Sequence, residues 1–384
     1  MSAPATVQRA LQRFMPTGLD AHRRKIIHRL CACHTPAMGG IEAHCEHCGA
    51  NPMWYHGCRD RHCPQCQGRA TRRWSERQQN HLLPVPYFHV VFTLPHDLNG
   101  WVALHPEVIY RLLFQAVWTT LNTFGHDPKR LNGQIAMSAV LHTWGQNLSR
   151  HVHLHCLVPG GALSEDGTWH PARSNYLFPV KALSRHFRGT MVGLLRRAWE
   201  DGQLHRVTRP GEVDTMLNRL MAIDWVVYSK HWLKRSATVV EYLARYTHRI
   251  AISDARINRV DEHGVTLRYK DYADHDRHKT MTLAGPEFVR RFLLHIVPKG
   301  LMRVRHYGFL ANRCRKRMLV KVRLAIASTD LIGLARKEPS SNLGQCDSAT
   351  ELCCRQCGRG PLHVRAVLPS ICPRRKPPRL IAAG

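Results

Sequence analysis

The sequence predicts an α+β fold, in which a central antiparallel β-sheet with flanking helices follows a small cysteine-rich domain. Histidines and apolar residues alternate along residues 151–158, which is the pattern of a strand with one buried face. Candidate strands and helices do not alternate regularly along the chain, so a doubly wound parallel sheet fits less well. Seven of the 14 cysteines fall between residues 31 and 66, which sets that region apart.

The composition indicates a polyanionic partner. The 384 residues include 56 Lys and Arg against 27 Asp and Glu, a formal charge of +29. Such an excess opposes compaction by self-repulsion, and DNA or RNA is the commonest polyanion that a basic protein binds. No apolar run approaches the about 20 residues of a membrane-spanning helix, and the first residues contain no signal-peptide core. We therefore expect a cytoplasmic protein that binds nucleic acid.

Composition divides the chain into three predicted regions. Residues 1–78 hold the first cysteine cluster and a helix candidate, LDAHRRKIIHRL, with an apolar stripe at Ile26, Ile27 and Leu30. Residues 79–300 contain nearly all the strong strand and helix patterns. Residues 301–384 are very basic at first, then pass through KEPSSNLGQCDSATE, which is typical of a linker, to a small cysteine-bearing segment.

The first cysteine cluster predicts zinc binding. CEHC (residues 45–48) and CPQC (residues 63–66) are two CxxC pairs. Each tight turn offers two thiolates, so Cys45, Cys48, Cys63 and Cys66 can complete one tetrahedral site. The remaining candidates suggest a second zinc site threaded through the first, formed by Cys58, His62 and Cys33 with either His34 or Cys31.

Basic and aromatic residues surround these cysteines. Loops held by zinc and bearing such side chains suit phosphate contact and base stacking, so we predict a nucleic-acid-binding module rather than a catalytic metal site. The residues concerned are Arg59, Arg61, Arg69, Arg72, Arg73, Trp54, Tyr55 and Trp74. Near the other end, CRQCG contributes Cys354 and Cys357 to a third candidate zinc knuckle, with His363 and Cys372 as further candidates.

The middle region supplies the elements of the predicted sheet. YFHVVFTL is rich in β-branched and aromatic residues and indicates a buried strand. QIAMSAVLHT, the short loop WGQNLSR and HVHLHCLVPGG predict an antiparallel hairpin, and the Glu-Asp-Gly of ALSEDGTWH indicates a further turn. Helical spacing marks FRGTMVGLLRRAWEDGQL, DTMLNRLMAIDWVV and SATVVEYLARYTHRI, while GVTLRYK and TMTLAG suggest a strand pair.

Three histidines share one face of the strand at residues 151–158. Successive strand residues point to opposite faces, so His151, His153 and His155 form one row, and the apolar row includes Cys156 as a small core residue. Burying an imidazole without partners costs about 1–3 kcal/mol. A divalent cation removes that cost, because neutral imidazole is a common metal ligand. An exposed polar strand face is the alternative.

Two tyrosines are candidate nucleophiles. Tyr242 and Tyr246 stand at i and i+4 in SATVVEYLARYTHRI, so a helix would place both phenols on one face, with Arg249 one turn further on. A pair of half-buried aromatics on an amphipathic helix is the alternative. The histidine strand, the basic chain and the zinc knuckles together favour the catalytic interpretation.

The combination of motifs resembles a known family. A His-hydrophobic-His strand followed by a YxxxY helix resembles the HUH single-strand endonucleases in their two-tyrosine form. More closely, the chain resembles the rolling-circle transposases of bacterial insertion sequences of the IS91 group. The likeness extends over residues 20–325 and includes the segments CRDRHCPQCQ, FTLPH, LHTWGQ, HLHCLVPGG, YLARYTHRIAIS, RRFLLHIVPKG and RHYGFLANR.

The resemblance implies the roles of several residues. His153 and His155 would hold Mg²⁺ or Mn²⁺ with a third ligand, for which His151 is the nearest candidate and His142 on the preceding strand is another. Tyr242 and Tyr246 would be paired nucleophiles, and the amino-terminal cysteines would bind Zn²⁺. The family often has proline where this chain has Val152, which faces away from the metal.

The implied reaction is cleavage of one DNA strand, leaving a 5′-phosphotyrosine and a free 3′-hydroxyl. Rejoining would need no ATP, in agreement with the absence of a GxxxxGK[ST] loop from the sequence. The implied partners are single-stranded DNA and transposon ends, gripped by residues of the zinc domain and of RVRHYGFLANRCRKR, including Arg313. Alternatives are a plasmid or phage rolling-circle replication initiator and a non-catalytic zinc-ribbon DNA-binding protein. A conjugative relaxase fits less well, because its tyrosine precedes its histidines.

Overall fold

A computed structural model describes most of the chain. The described residues are 4–172, 177–207, 209–233, 251–271, 274–332, 354, 356–359 and 361–372. The predicted YxxxY helix, with Tyr242, Tyr246 and Arg249, lies outside these residues.

Helices cover the three helical segments predicted within the described residues, and six further helices there were not predicted. Their bounds are α1 (Val7–Arg13), α2 (Ala21–Ala32), α3 (Pro64–Gln79), α4 (Asn99–Leu104), α5 (Pro106–His126), α6 (Val180–Glu200), α7 (Pro210–Ala222), α8 (Gly285–Leu293) and α9 (Arg315–Ile332). Single 3₁₀ turns occupy Pro36–Met38, His96–Leu98 and Asp254–Arg256.

The strands are mostly short and pair antiparallel. Their bounds are β1 (Gly40–Cys45), β2 (Met53–Tyr55), β3 (Tyr87–Thr93), β4 (Ala136–Trp144), β5 (Arg150–Pro159), β6 (Gly161–Leu163), β7 (Trp169–Pro171), β8 (Val227–Leu233), β9 (Ile257–Val260), β10 (Val265–Asp271), β11 (Arg277–Leu283), β12 (Val304–Gly308) and β13 (Leu362–Leu368). The predicted α+β class, with a central antiparallel sheet and flanking helices, is confirmed.

The chain forms two compact units that are not continuous in sequence. Unit 1 comprises Met1–Arg69, Ile252–Leu293 and Arg336–Gly384, and unit 2 comprises Ala70–Ala251 and Leu294–Ala335. The units do not follow the predicted regions 1–78, 79–300 and 301–384. Composition groups neighbours along the chain, whereas strand pairing and helix packing join segments that are distant in sequence.

Unit 2 contains the central sheet. Its five strands lie in the order β12-β4-β5-β3-β8, and every neighbouring pair is antiparallel. The predicted hairpin is confirmed, because β4 pairs directly with β5. The turn predicted in ALSEDGTWH is confirmed as well, since it joins β6 to β7.

One face of this sheet packs into the main hydrophobic core. Val152, Leu154 and Cys156 are at most 2 % exposed, which confirms that the apolar row of β5 points inward and that Cys156 is a core residue. Helices α5 and α6 supply the opposing layer, through side chains such as Phe114 and Phe187. Burial of this row fixes the register, because a slip by one residue would exchange the two faces.

Unit 1 combines two small sheets with helices. The predicted helix LDAHRRKIIHRL is confirmed as α2, where Asp20 caps the amino terminus by accepting a hydrogen bond from the Arg23 amide. Ile26, Ile27 and Leu30 form its buried stripe. The strand pair predicted from GVTLRYK and TMTLAG is confirmed as β10 and β11, and β9 completes that sheet. In the other sheet β1 lies between β2 and β13.

Among the described residues, no helix combines the length and the apolar character that crossing a membrane requires.

Candidate metal centres

A histidine cluster lies on the face of the central sheet opposite the main core. His153 and His155 alternate along β5, and His142 stands directly opposite His153 on β4. The three side chains are between 4 % and 8 % exposed. Their candidate ligand nitrogens all lie within 4.8 Å of one another. Period-two geometry and strand register therefore bring three imidazoles to one point.

Hydrogen bonds fix how two of these imidazoles are oriented. His153 Nδ1 lies 2.9 Å from the backbone oxygen of His151, so it donates there and leaves Nε2 as a lone-pair donor for a metal. His155 Nδ1 lies 2.9 Å from His89 Nε2, and the two rings stack at 5.1 Å. If His155 donates in this bond, its Nε2 is likewise the ligand atom. The ring of Trp144 stacks on His142 at 4.3 Å.

Burial keeps His153, His155 and the adjacent His89 neutral near pH 7. Desolvation lowers the pKa of His153 to about 3 and that of His89 to about 4. Desolvation also brings the pKa of His155 well below the usual value for histidine. Metals bind the neutral imidazole, so no proton has to be displaced near pH 7. Three imidazole nitrogens converging on one point fit a divalent cation and leave part of its coordination sphere to a substrate or water.

The third nitrogen of the cluster belongs to His142 and not to His151, the nearest predicted candidate. The His151 ring lies 4.8 Å from that of His153, centroid to centroid, but His151 is not among the histidines whose ligand nitrogens all lie within 4.8 Å of one another. His142 belongs to the group because it stands opposite His153 across the strand pair and its ring also lies 4.4 Å from that of His155.

His89 is a residue that the sequence interpretation missed. It lies on β3, where Phe88, Val90 and Phe92 face the main core. The same period-two alternation that marked β5 was therefore present in YFHVVFT. Applied to β3, it would have put His89 on the polar face.

The first cysteine cluster joins four thiols from unit 1. Cys33 ends helix α2, Cys58 lies in a loop, and Cys63 and Cys66 flank the start of α3. The Cys33 Sγ atom is 3.5 Å from those of Cys63 and Cys66, and the Cys58 Sγ atom is 3.8 Å from that of Cys66. Four sulfurs at about 2.3 Å from a tetrahedral zinc ion are separated by about 3.8 Å. The arrangement fits zinc closely.

Hydrogen bonds from backbone amides and between thiols shift the pKa values of the cysteines in this cluster. The amide of Arg59 donates to Cys66 Sγ at 3.3 Å, and that of Cys58 donates to Cys33 Sγ at 3.4 Å. Hydrogen bonding to Cys33 lowers the pKa of Cys66 far below that of a free thiol, while the same crowding raises the pKa of Cys58. A bound cation would remove this competition, because it stabilises all four thiolates together.

The second cluster contains Cys45, Cys48, Cys354 and Cys357. The sequence had suggested that the two amino-terminal CxxC pairs share one site. The structure places them in two different clusters. Cys63 and Cys66 pair with Cys33 and Cys58, whereas Cys45 and Cys48 meet the pair near the other end of the chain. Sequence spacing reports which cysteines form a turn, but tertiary structure decides which turns meet.

Three further zinc candidates lie outside both clusters. His62 Nδ1 is 2.8 Å from the Asp60 carboxylate, and both side chains are buried. His34 Nδ1 is 3.0 Å from the backbone oxygen of Tyr55. Burial raises the pKa of the Cys31 thiol to about 11, which disfavours the thiolate that a metal requires. Four cysteines already fill the nearby tetrahedron, so none of the three is needed.

The predicted DNA-contacting arginines are accessible where the structure describes them. Arg59 and Arg313 are exposed, and Arg61 is half-buried. Arg59 adopts a left-handed backbone conformation, with φ of 52°, in the loop between Cys58 and Cys63. The zinc cluster thus holds this arginine on a constrained loop.

Two family models match segments of the chain that contain two of these clusters. A family model described as "Transposase zinc-binding domain" matches residues 6–94, and one described as "Putative transposase" matches residues 136–317. The first match contains Cys33, Cys58, Cys63 and Cys66, and the second contains the three clustered histidines.

Two relatives extend this similarity over most of the chain. "Putative transposase y4qJ" of Sinorhizobium fredii is 40 % identical over 331 residues, which cover 84 % of this chain and 82 % of the relative. "Transposase for insertion sequence element IS801" of Pseudomonas savastanoi pv. phaseolicola is 29 % identical over 327 residues, covering 79 % and 74 %. No solved structure matches the chain. The chain therefore belongs to the IS91-type insertion-sequence transposases, a family of DNA-processing enzymes, and carries their zinc-binding domain at its amino terminus.

Proposed function

We propose that this transposase is a metal-dependent single-strand DNA endonuclease and strand transferase that acts through 5′-phosphotyrosine intermediates in rolling-circle transposition. The observation that carries the proposal is the buried, convergent cluster of His142, His153 and His155 on the sheet face opposite the core. A purely DNA-binding protein would have no use for three desolvated imidazoles whose nitrogens converge on one point.

The cluster would hold Mg²⁺ or Mn²⁺. When bound, the cation would polarise the scissile phosphate and stabilise negative charge in the transition state. Nitrogen ligands suit Mn²⁺ better than Mg²⁺, which prefers an all-oxygen shell. The contribution of the chain is to keep His153 and His155 neutral and to fix their orientation through the His151 backbone oxygen and the His89 ring.

Tyr242 and Tyr246 would be the nucleophiles, an assignment supported by their YxxxY spacing and by the family resemblance. The phenol loses its proton and its Oη attacks the phosphorus, while the bond from phosphorus to the 3′-oxygen breaks and that oxygen takes up a proton. The phosphodiester energy is retained in the phosphotyrosine, so rejoining needs no ATP. With two tyrosines, one can hold a 5′ end while the other attacks a second site.

Arg59, Arg61, Arg249 and Arg313 are proposed contacts to the DNA backbone. The exposed guanidinium groups of Arg59 and Arg313 can pair with phosphates, and single-strand grips commonly combine such cations with aromatic stacking. Affinity for a single strand is then expected to fall steeply as salt rises.

The decisive experiment is a covalent-adduct assay. Wild-type protein is incubated with labelled single-stranded DNA from the element's end and either Mn²⁺ or Mg²⁺, and SDS-resistant adducts are resolved on a gel. We expect an adduct that EDTA prevents and that Tyr242→Phe combined with Tyr246→Phe abolishes, since phenylalanine has no nucleophilic oxygen.

Tyr269→Phe is the matched control, because Tyr269 is a half-buried tyrosine on β10 of unit 1 and should leave the adduct intact. An adduct that survives in the double variant would contradict the tyrosine assignment. Absence of an adduct with wild type, on a verified end sequence, would leave only DNA binding without covalent nicking. Cleavage confined to a replication origin would instead indicate a rolling-circle initiator.

His89 is expected to act as a positioning residue for His155. Outer partners of a metal-bound histidine fix its tautomer and ring angle, and their loss typically costs about 10–100-fold in metal affinity. We therefore expect His89→Ala to weaken Mn²⁺ binding by about that factor in a calorimetric titration. His89→Gln should recover part of the loss, because its Oε1 can accept the bond from His155 Nδ1. The exposed His126 supplies a neutral control as His126→Ala. Equal Mn²⁺ affinity in folded His89→Ala and wild type would refute this role.

A further inference from the structure

Four cysteine sulfurs from two segments that are distant in sequence meet in unit 1. Cys45 Sγ is 3.8 Å from Cys357 Sγ, and Cys48 Sγ is 3.7 Å from Cys354 Sγ. All four sulfurs lie within 4.8 Å of one another. These separations match the about 3.8 Å expected between sulfurs around a tetrahedral zinc ion, and they are far from the about 2.05 Å of a disulfide.

The two contributing loops have the same local structure. Each is a CxxC pair followed by glycine, CEHCG at 45–49 and CRQCG at 354–358. In each loop the glycine amide donates to the backbone oxygen of the first cysteine, at 2.9 Å for Gly49 and 2.8 Å for Gly358. Both glycines are left-handed, with φ of 70° and 69°. Two knuckles of one geometry, facing each other, are the usual way a chain builds a four-cysteine zinc site.

Strand pairing delivers the second knuckle to the first. β13 pairs antiparallel with β1, and the register places Leu362 opposite Cys45 and Leu368 opposite Gly40. Beyond the strand, the amides of Ile371 and Cys372 both donate to the backbone oxygen of Ala37, at 3.0 and 2.9 Å. The carboxy-terminal segment is thus tied along the whole length of β1.

Apolar burial does little to hold this segment. Val364 is 57 % exposed, Val367 is 71 % exposed and Ile371 is 88 % exposed. An edge strand held mainly by its ladder is marginal in water. A metal ion that ligates both loops would supply the missing stabilisation, because zinc binding to preformed thiolates contributes directly to folding.

We propose that Cys45, Cys48, Cys354 and Cys357 form a second structural zinc site, which completes the amino-terminal zinc domain with a segment from the other end of the chain. The matched zinc-domain region, residues 6–94, contains only half of these ligands. The site is independent of the proposed nicking chemistry. The zinc domain of this transposase is therefore a discontinuous structure that needs residues 354–372.

Zinc content of the full-length protein under reducing conditions tests the site. We expect two zinc ions per chain in wild type and one in the double variant Cys354→Ser with Cys357→Ser. Cys372→Ser, on the same segment but outside the cluster, should keep two. Cys357→His also removes a thiol but preserves a ligand, so it should keep two zinc ions or regain the second when zinc is added.

Several results would overturn the site. One zinc ion in wild type, or two in the double serine variant, would exclude it. A mass lower by four hydrogens with one zinc ion, in protein kept reduced, would indicate two disulfides instead. Circular dichroism of each variant shows whether the first zinc cluster and the fold persist, so a general loss of folding is recognised.

Discussion

Replacing His142 by alanine is expected to reduce Mn²⁺ affinity and adduct formation at least about 100-fold, whereas His151→Ala should change either by a much smaller factor. His142 offers a nitrogen within 4.8 Å of those of His153 and His155, so its loss removes a ligand outright. Loss of a residue that hydrogen-bonds a metal-bound histidine already lowers metal affinity by about 10–100-fold, so loss of a direct ligand should lower it by at least as much.

The two substitutions form a matched pair. His151 lies in the same histidine row of β5, but its ring points outside the convergent group, and its backbone oxygen, which accepts the bond from His153, is retained in alanine. The measurements are Mn²⁺ titration of each folded variant and the rate of adduct formation at saturating Mn²⁺. The reverse order of effects, with His151→Ala the more damaging, would restore His151 as the third ligand.

This pair of residues also shows what sequence can specify about a site on a sheet. The alternation of HVHLHCLV determined that His153 and His155 share a face and that Val152, Leu154 and Cys156 enter the core. The identity of the third ligand depends on how β4 lies against β5, and the register there shifts between His142 and Trp144. A register with an irregularity is a tertiary property, so the sequence could suggest His142 but not rank it above His151.

For the cysteines, too, the sequence specified local structure but not tertiary contacts. Each CxxC pair was recognisable as a knuckle, because the two thiolates of one tight turn are fixed by local geometry. The partner of each knuckle was not recognisable, since several pairings satisfy the same spacing. Cys63 and Cys66 meet Cys33, at the end of α2, and Cys58. Cys45 and Cys48 meet a pair from a distant part of the chain, which is brought there by the pairing of β13 with β1.

The division of the chain into two units likewise depends on tertiary contacts that local sequence patterns do not specify. Some strands and helices of the described regions were predictable because their apolar periodicity is local, and β3, β4, β5 and α2 lie where that periodicity put them. Residues 252–293 carry equally ordinary patterns, yet they belong with unit 1. Which unit a strand pair joins depends on the surfaces it packs against, and no single segment encodes that choice.

Loss of the first zinc cluster is expected to be more damaging than loss of the second. Cys63→Ser should release one zinc ion and unfold the amino-terminal part of unit 1, because this cluster ties the end of α2 to the loop at Cys58 and the start of α3. Structural zinc contributes about 10–16 kcal/mol of apparent binding energy, comparable to the whole stability of a domain, about 5–15 kcal/mol. Single-strand affinity should fall with it, since Arg59 is held on the same loop.

Cys31→Ser is the control for this substitution, because Cys31 lies two residues from Cys33 yet outside both clusters. The measurements are zinc content, hydrogen exchange at the buried stripe of α2, and affinity for a single strand. Cys63→Ser should lose protection at Ile26, Ile27 and Leu30, while the Cys354 and Cys357 serine variant should lose it mainly in β1 and β13. If exchange in α2 stayed protected after the first zinc was lost, the packing of Ile26, Ile27 and Leu30 alone would be sufficient to hold the helix. The metal would then serve to shape the arginine-bearing loop rather than to fold the domain.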